Sequence, residues 1–139
     1  MQSTRLTALF VAGVATALCA VTATSASAAG LGYQVIDVPG GEAHWAADPH
    51  GVTVPGDSFR VCDKKSDSKA VQATLYSLDS FGHEVDAIGS ISTAGHEAGY
   101  CSAWSTHDLP ENKKWHLDTW LEKNNVLDPD TIRFHTVTS

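Results

Sequence analysis

The sequence predicts an all-β fold: a small antiparallel β-sandwich of roughly seven or eight short strands, pinned by one disulfide. Three observations carry that expectation. Apolar and polar residues alternate with a period of two along most of the chain, as in strands with one buried face. Turn residues recur about every eight to twelve positions, a spacing that favours a sandwich or barrel over alternating helices and strands. Two cysteines remain once an export leader is set aside, and they have only each other to pair with.

The leader comes first in the chain. Arg5 supplies a positive charge, and Leu6 to Ala23 contain no Asp, Glu, Lys or Arg. Ala26-Ser27-Ala28 then places small residues where a signal peptidase inspects the chain. The expectation is a signal peptide over 1–28 and a single secreted domain over 29–139. The apolar run is about long enough to span a bilayer. The small-residue exit and the lack of a following basic stop favour cleavage instead, and Leu18 before Cys19 speaks against a lipoprotein.

Removing 28 of 139 residues leaves 111, and Arg5 goes with them. Eight Lys/Arg then face sixteen Asp/Glu, so the formal charge moves from −7 to −8. That balance lacks the basic footprint of a nucleic-acid binder. No second hydrophobic span follows, so the mature product is expected to be extracellular with no membrane partner. Cys62 and Cys101 become the expected disulfide, since an exported chain meets an oxidising environment. Closing a loop of about forty residues restricts the unfolded chain by roughly 4 kcal/mol on the loop-entropy account.

The elements follow in order. Tyr33 to Val38 is β-prone and stops at Pro39-Gly40-Gly41, and His44-Trp45-Ala46 ends at Asp48-Pro49-His50-Gly51. Val52-Thr53-Val54 is a further short β-prone run before Pro55-Gly56-Asp57. Ser58 to Cys62 alternates, with Phe59 and Val61 on one face, and Asp63 to Lys69 reads as a polar hairpin loop. Val71, Ala73 and Leu75 then share one face, opposite Gln72, Thr74 and Tyr76. Asp79-Ser80-Phe81-Gly82 turns the chain into Val85, Ala87, Gly89 and Ile91, with Glu84 and Asp86 opposite. Thr93-Ala94-Gly95 leads to Tyr100 through Trp104.

Residues 108–125 fit two readings. Asp108, Pro110 and Glu111 have the form of a helix N-terminus, with Leu117, Trp120 and Leu121 on a helical stripe. As a strand, the segment aligns Trp115, Leu117, Thr119 and Leu121 on one face and His116, Asp118 and Glu122 on the other. The strand is preferred because Thr131 to Val137 alternates, is rich in β-branched residues and looks like its partner.

Val61-Cys62-Asp63 and Tyr100-Cys101-Ser102-Ala103-Trp104 carry a resemblance. In these motifs the chain resembles small exported proteins of filamentous actinobacteria, usually of unassigned function. They tend to have a Val-Cys-Asp strand end, a polar loop and a later Cys followed by small residues. A second cysteine pair often lies near a Pro-Asp-Thr segment; here Asp128-Pro129-Asp130-Thr131 is similar, without those cysteines. The resemblance implies export and an all-β fold, and it brings no activity.

Motifs for chemistry are missing from the sequence. There is no Gly-x-Ser-x-Gly elbow, and neither His83-Glu84 nor His96-Glu97 is followed by the second histidine of a zincin. Phosphate-binding Gly-Lys loops, Cys-x-x-Cys pairs and Asn-x-Ser/Thr sequons are also lacking. No catalytic, cofactor-binding or metal residue is assigned, and the protein is not expected to be an enzyme or to carry a cofactor.

Histidine is the compositional anomaly, at seven residues. Their even scatter favours ordinary surface or half-buried roles. If residues 108–125 form a strand, however, His116 and Asp118 share a face, and His107 is the candidate third ligand for zinc or copper. Protonating all seven below about pH 5.5 would cancel most of the negative charge, giving a pH-responsive surface. Of the four tryptophans most are expected in the core. Trp120 is the best exposed candidate for stacking on a sugar ring.

The expected function is therefore a secreted, non-enzymatic binding domain whose partner is an extracellular protein or a glycan. The alternative is an extracellular zinc- or copper-binding protein that uses its histidines. A third reading is an inhibitor of an extracellular hydrolase.

Overall fold

The computed structural model describes residues 32–139. The leader, its cut after Ala28 and Cys19 lie outside the described residues. Within them the chain forms β1 (Tyr33–Val38), β2 (Gly41–Ala46), β3 (Ser58–Asp63), β4 (Ala70–Leu78), β5 (Glu84–Ser92), β6 (Ser105–Thr106), β7 (Lys114–Lys123) and β8 (Val126–Thr138). Two four-stranded antiparallel sheets result, in the orders β1-β2-β3-β6 and β5-β4-β7-β8. The fold is thus the expected β-sandwich.

Alternation builds the core. In the first sheet Trp45 pairs with Phe59 and Ala43 with Val61, and all four are fully buried. In the second sheet Ala73 pairs with Thr119 and Leu75 with Leu117, again fully buried. Trp115, Leu121 and Val137 complete this inner face. Each buried indole keeps a partner for its N–H: Trp45 donates to the Thr138 carbonyl at 3.1 Å, and Trp115 to Ser139 Oγ at 3.2 Å. Residues 114–123 are strand, and the four positions aligned by the sequence pattern all point inward. Asp108, Pro110 and Glu111 belong to a loop, because the inward row from Trp115 to Leu121 needs extended backbone.

The disulfide forms between Cys62 and Cys101, whose Cα atoms are 4.0 Å apart. The segment around Cys101 lies antiparallel along β3: Asp63 N donates to the Tyr100 carbonyl at 2.9 Å and Ser102 N to the Val61 carbonyl at 2.8 Å. At the β1–β2 turn, Gly40 has φ +83 and a Cβ on Gly41 would stand 2.1 Å from the Cys62 carbonyl oxygen. Only glycine lets β2 approach β3 so closely there.

Three expectations are corrected. Asp63 to Lys69 is a crossover rather than a hairpin loop, since β3 and β4 belong to different sheets. Val52-Thr53-Val54 is a turn closed by a His50–Val54 bridge; Val52 is fully exposed, so nothing rewards strand pairing. In β5 the alternation is broken by two register shifts against β4, between Leu75 and Tyr76 and between Tyr76 and Leu78. Each shift inserts an extra residue, so Ile88 and Ile91 pack on the core while Val85 lies exposed.

Candidate functional site

The outer face of the second sheet collects the chemistry. Its rows follow from the register: His116 pairs with Tyr76 and Thr136, Asp118 with Thr74 and Phe134, and Trp120 with Gln72. Because Leu75, Leu117 and Thr119 point inward, these neighbours point outward. Phe134 stands 67% exposed directly beside Asp118, and Trp120 is half-buried one row further on. Thr74 Oγ1 and Ser90 Oγ share a hydrogen bond of 2.7 Å on the same row.

Glu84 reaches this face from β5. The preceding turn is held by Asp79, whose Oδ1 accepts from Phe81 N at 2.8 Å and His83 N at 2.9 Å, with Gly82 at φ +86. Glu84 pairs with Leu78, and its side chain extends across β4 to place Oε1 2.9 Å from His116 Nδ1. Glu84, His116 and Asp118 each bring one donor atom to within 4.8 Å of the others.

Asp118 is the unusual member. It is only 6% exposed, and its Oδ1 is one of three buried side-chain polar atoms without a hydrogen-bond partner among the described residues. The other two are Asp57 Oδ1 and Arg60 Nε. Asp57 still anchors Leu109 N through its second oxygen at 3.3 Å, and the Arg60 guanidinium lies 4.6 Å from the centre of the Trp104 ring. Burial, reinforced by the negative charge of Glu84 and opposed by His116, pushes the Asp118 carboxyl up to about 6.

His107, the expected third ligand, does not join His116 and Asp118. It lies on the inner side, stacked on Phe59 with 5.8 Å between ring centres and bonded to Ser105 Oγ at 2.9 Å. A Cβ on Gly89 would stand 2.7 Å from its Nε2, so β5 closes over it. Glu84 takes the place assigned to His107. The sequence signal for Glu84 was its position on the polar side of β5, but its meeting with β7 depends on the bulged pairing.

The remaining histidines have separate surroundings. His44 is buried on the outer face of the first sheet, where Tyr33 hydroxyl bonds its Nδ1 and Glu42 Oε2 lies 3.3 Å from its Nε2. Burial, with help from the charge of Arg60, holds the His44 pKa below the ordinary histidine value. His50 stacks on Tyr33, His96 on Tyr100, and exposed His83 faces Asp79. His135 faces Thr119, and burial, then Arg133, lowers its pKa.

An open groove of about 760 Å³ lies elsewhere, among the loops at one end of the sandwich. Lys65, Lys69, Asp63 and Glu97 line it with mixed charge, and Lys69 is already paired with Asp128 at 2.8 Å. The groove offers volume, whereas the sheet face offers convergent chemistry. Among the described residues no helix is long and apolar enough to cross a membrane. Comparison with protein-family models, with curated proteins and with solved structures finds no match to this chain.

Proposed function

We propose that the protein is an exported, non-enzymatic binding domain that takes a glycan on the outer face of the second sheet. The observation that carries this reading is Asp118, a buried carboxylate with an unpaired oxygen, with Phe134 opposite it on β8 and Trp120 two positions along β7 on the same face. Aromatic faces suit the apolar C–H faces of sugar rings. An acceptor already stripped of water and lacking a protein donor suits a hydroxyl group. The sheet fixes all three residues on rigid strands, so little conformational freedom is lost on binding.

The Cys62–Cys101 disulfide supports export, since such bonds persist in oxidising compartments. The resemblance of the Val-Cys-Asp and Cys-Ser-Ala-Trp motifs to exported actinobacterial proteins points the same way. Titrating the protein with a panel of soluble glycans while following tryptophan fluorescence tests the reading. Saturable quenching that weakens ~10-fold or more in Trp120→Ala, but persists in Trp104→Ala, is the expected result. An unchanged spectrum across the panel contradicts it.

A further inference from the structure

We propose that Glu84, His116 and Asp118 form a binding site for a divalent first-row cation of the zinc class. The donors are the right ones: one imidazole nitrogen and two carboxylate oxygens, a set that zinc accepts while keeping a position open. Two donors on one tetrahedral zinc stand ~3.3 Å apart. His116 Nδ1 and Glu84 Oε1 are at 2.9 Å, and no donor pair in the group exceeds 4.8 Å. Small rotations of the carboxylate side chains close the difference.

The observation that raises this above a chance cluster is independent of that spacing. Asp118 is 94% buried on the 6% exposure it retains, yet its Oδ1 has no donor. Among the described residues its carboxylate has no Lys or Arg ion pair, and Glu84 pairs only with His116. Two carboxylates and one imidazole are therefore held together with no Lys or Arg ion pair among the described residues, an arrangement that a divalent ion satisfies at once. The other histidine–acid contact does not compare. His44 sits by Glu42, but Lys64 already pairs with that carboxylate and the nearby Cys62 sulfur is in the disulfide.

All three donors rise from the outer side of one sheet, so the remaining coordination positions face away from it. A bound ion would hold water there, or an oxygen of a second ligand. The site shares Asp118 with the glycan reading, but its other donors, Glu84 and His116, are separate from Trp120 and Phe134.

The test uses the disulfide-bonded protein, treated with chelator and then titrated calorimetrically with zinc chloride alone. The expected result is one zinc per chain, with affinity falling ~10-fold or more in both His116→Gln and Asp118→Asn. His107→Gln and His50→Gln should bind as the parent does. Nitrogen-15 spectra of the histidine rings should show the zinc-dependent shift on His116. Absence of saturable binding, or binding retained in both His116→Gln and Asp118→Asn, overturns the proposal. Since no sugar is present, failure of the glycan titration and failure of this one are separate results.

Discussion

On the outer face of the first sheet, His44, Arg60, Tyr33 and Trp104 are packed against one another beside a disulfide. On the outer face of the second, exposed Glu84 and Phe134 and half-buried His116 and Trp120 surround buried Asp118, one of whose oxygens has no partner. Both faces mix aromatics with titratable groups. In the first, the aromatic edges and the Arg60–Trp104 contact at 4.6 Å engage all four side chains, and the one unpaired atom among them, Arg60 Nε, belongs to a guanidinium lying against a ring. In the second, a carboxylate only 6% exposed is left with an unpaired oxygen. The difference teaches where to look for a ligand: a buried carboxylate beside a second carboxylate is costlier to leave unpaired than a guanidinium nitrogen stacked on a ring.

Removing the cover from the first face should have the largest effect on stability. Replacing both Cys62 and Cys101 by Ser should lower unfolding free energy by roughly 4 kcal/mol in urea titrations, because 39 positions separate the two cysteines. Glycan or zinc affinity, measured where the variant is still folded, should be little changed.

The two half-buried tryptophans give the sharpest contrast. Trp104→Ala should cost about 2 kcal/mol, since it strips the Arg60 contact and uncovers His44. Trp120→Ala should cost under about 1 kcal/mol, because among the described residues its half-buried ring has no aromatic or cation–π contact. Paired thermal melts check this, and equal losses would erase the distinction between the faces.

Asp118→Asn should run against the usual direction of mutation. In chelator-treated protein at neutral pH it should stabilise by about 1 kcal/mol, by removing a buried charge beside Glu84. A destabilised variant would show that the carboxylate is structural.

The smallest effect concerns pH. His44 and His135 both have pKa values below their unfolded value, mainly through burial. Between the two values the unfolded chain takes up a proton that the folded chain refuses. Their contribution is therefore present above about pH 6.5 and is lost as pH falls through the lowered values. Asp118 acts in the opposite sense, its raised pKa favouring the folded acid. Melts from pH 7 to 5 in an Asp118→Asn background should fall on acidification, and His44→Gln with His135→Gln should flatten that fall.

Much of the fold is legible because single residues report it locally. Val71, Ala73 and Leu75 alternate without interruption, and Trp115 to Leu121 decide strand over helix once their partner strand is recognised. The disulfide needs only the subtraction of Cys19. The placement of His116 with Asp118 follows from strand spacing alone. Glu84 is different: its arrival beside His116 requires the β5–β4–β7 order and two register shifts, which no local pattern encodes. His107 misleads because chain proximity to β7 says nothing about which side of the sheet the loop enters. The crossover at Asp63 to Lys69 likewise has the residues of a hairpin, and only the packing of two sheets distinguishes them.

The most direct test of the account is a map of backbone amide shifts as the protein is titrated with glycans and, separately, with zinc. The account predicts perturbations concentrated at Glu84, His116 to Trp120 and Phe134, with His44, Arg60 and Trp104 unmoved. Shifts centred on the first face, or on the groove around Lys65 and Glu97, would contradict it.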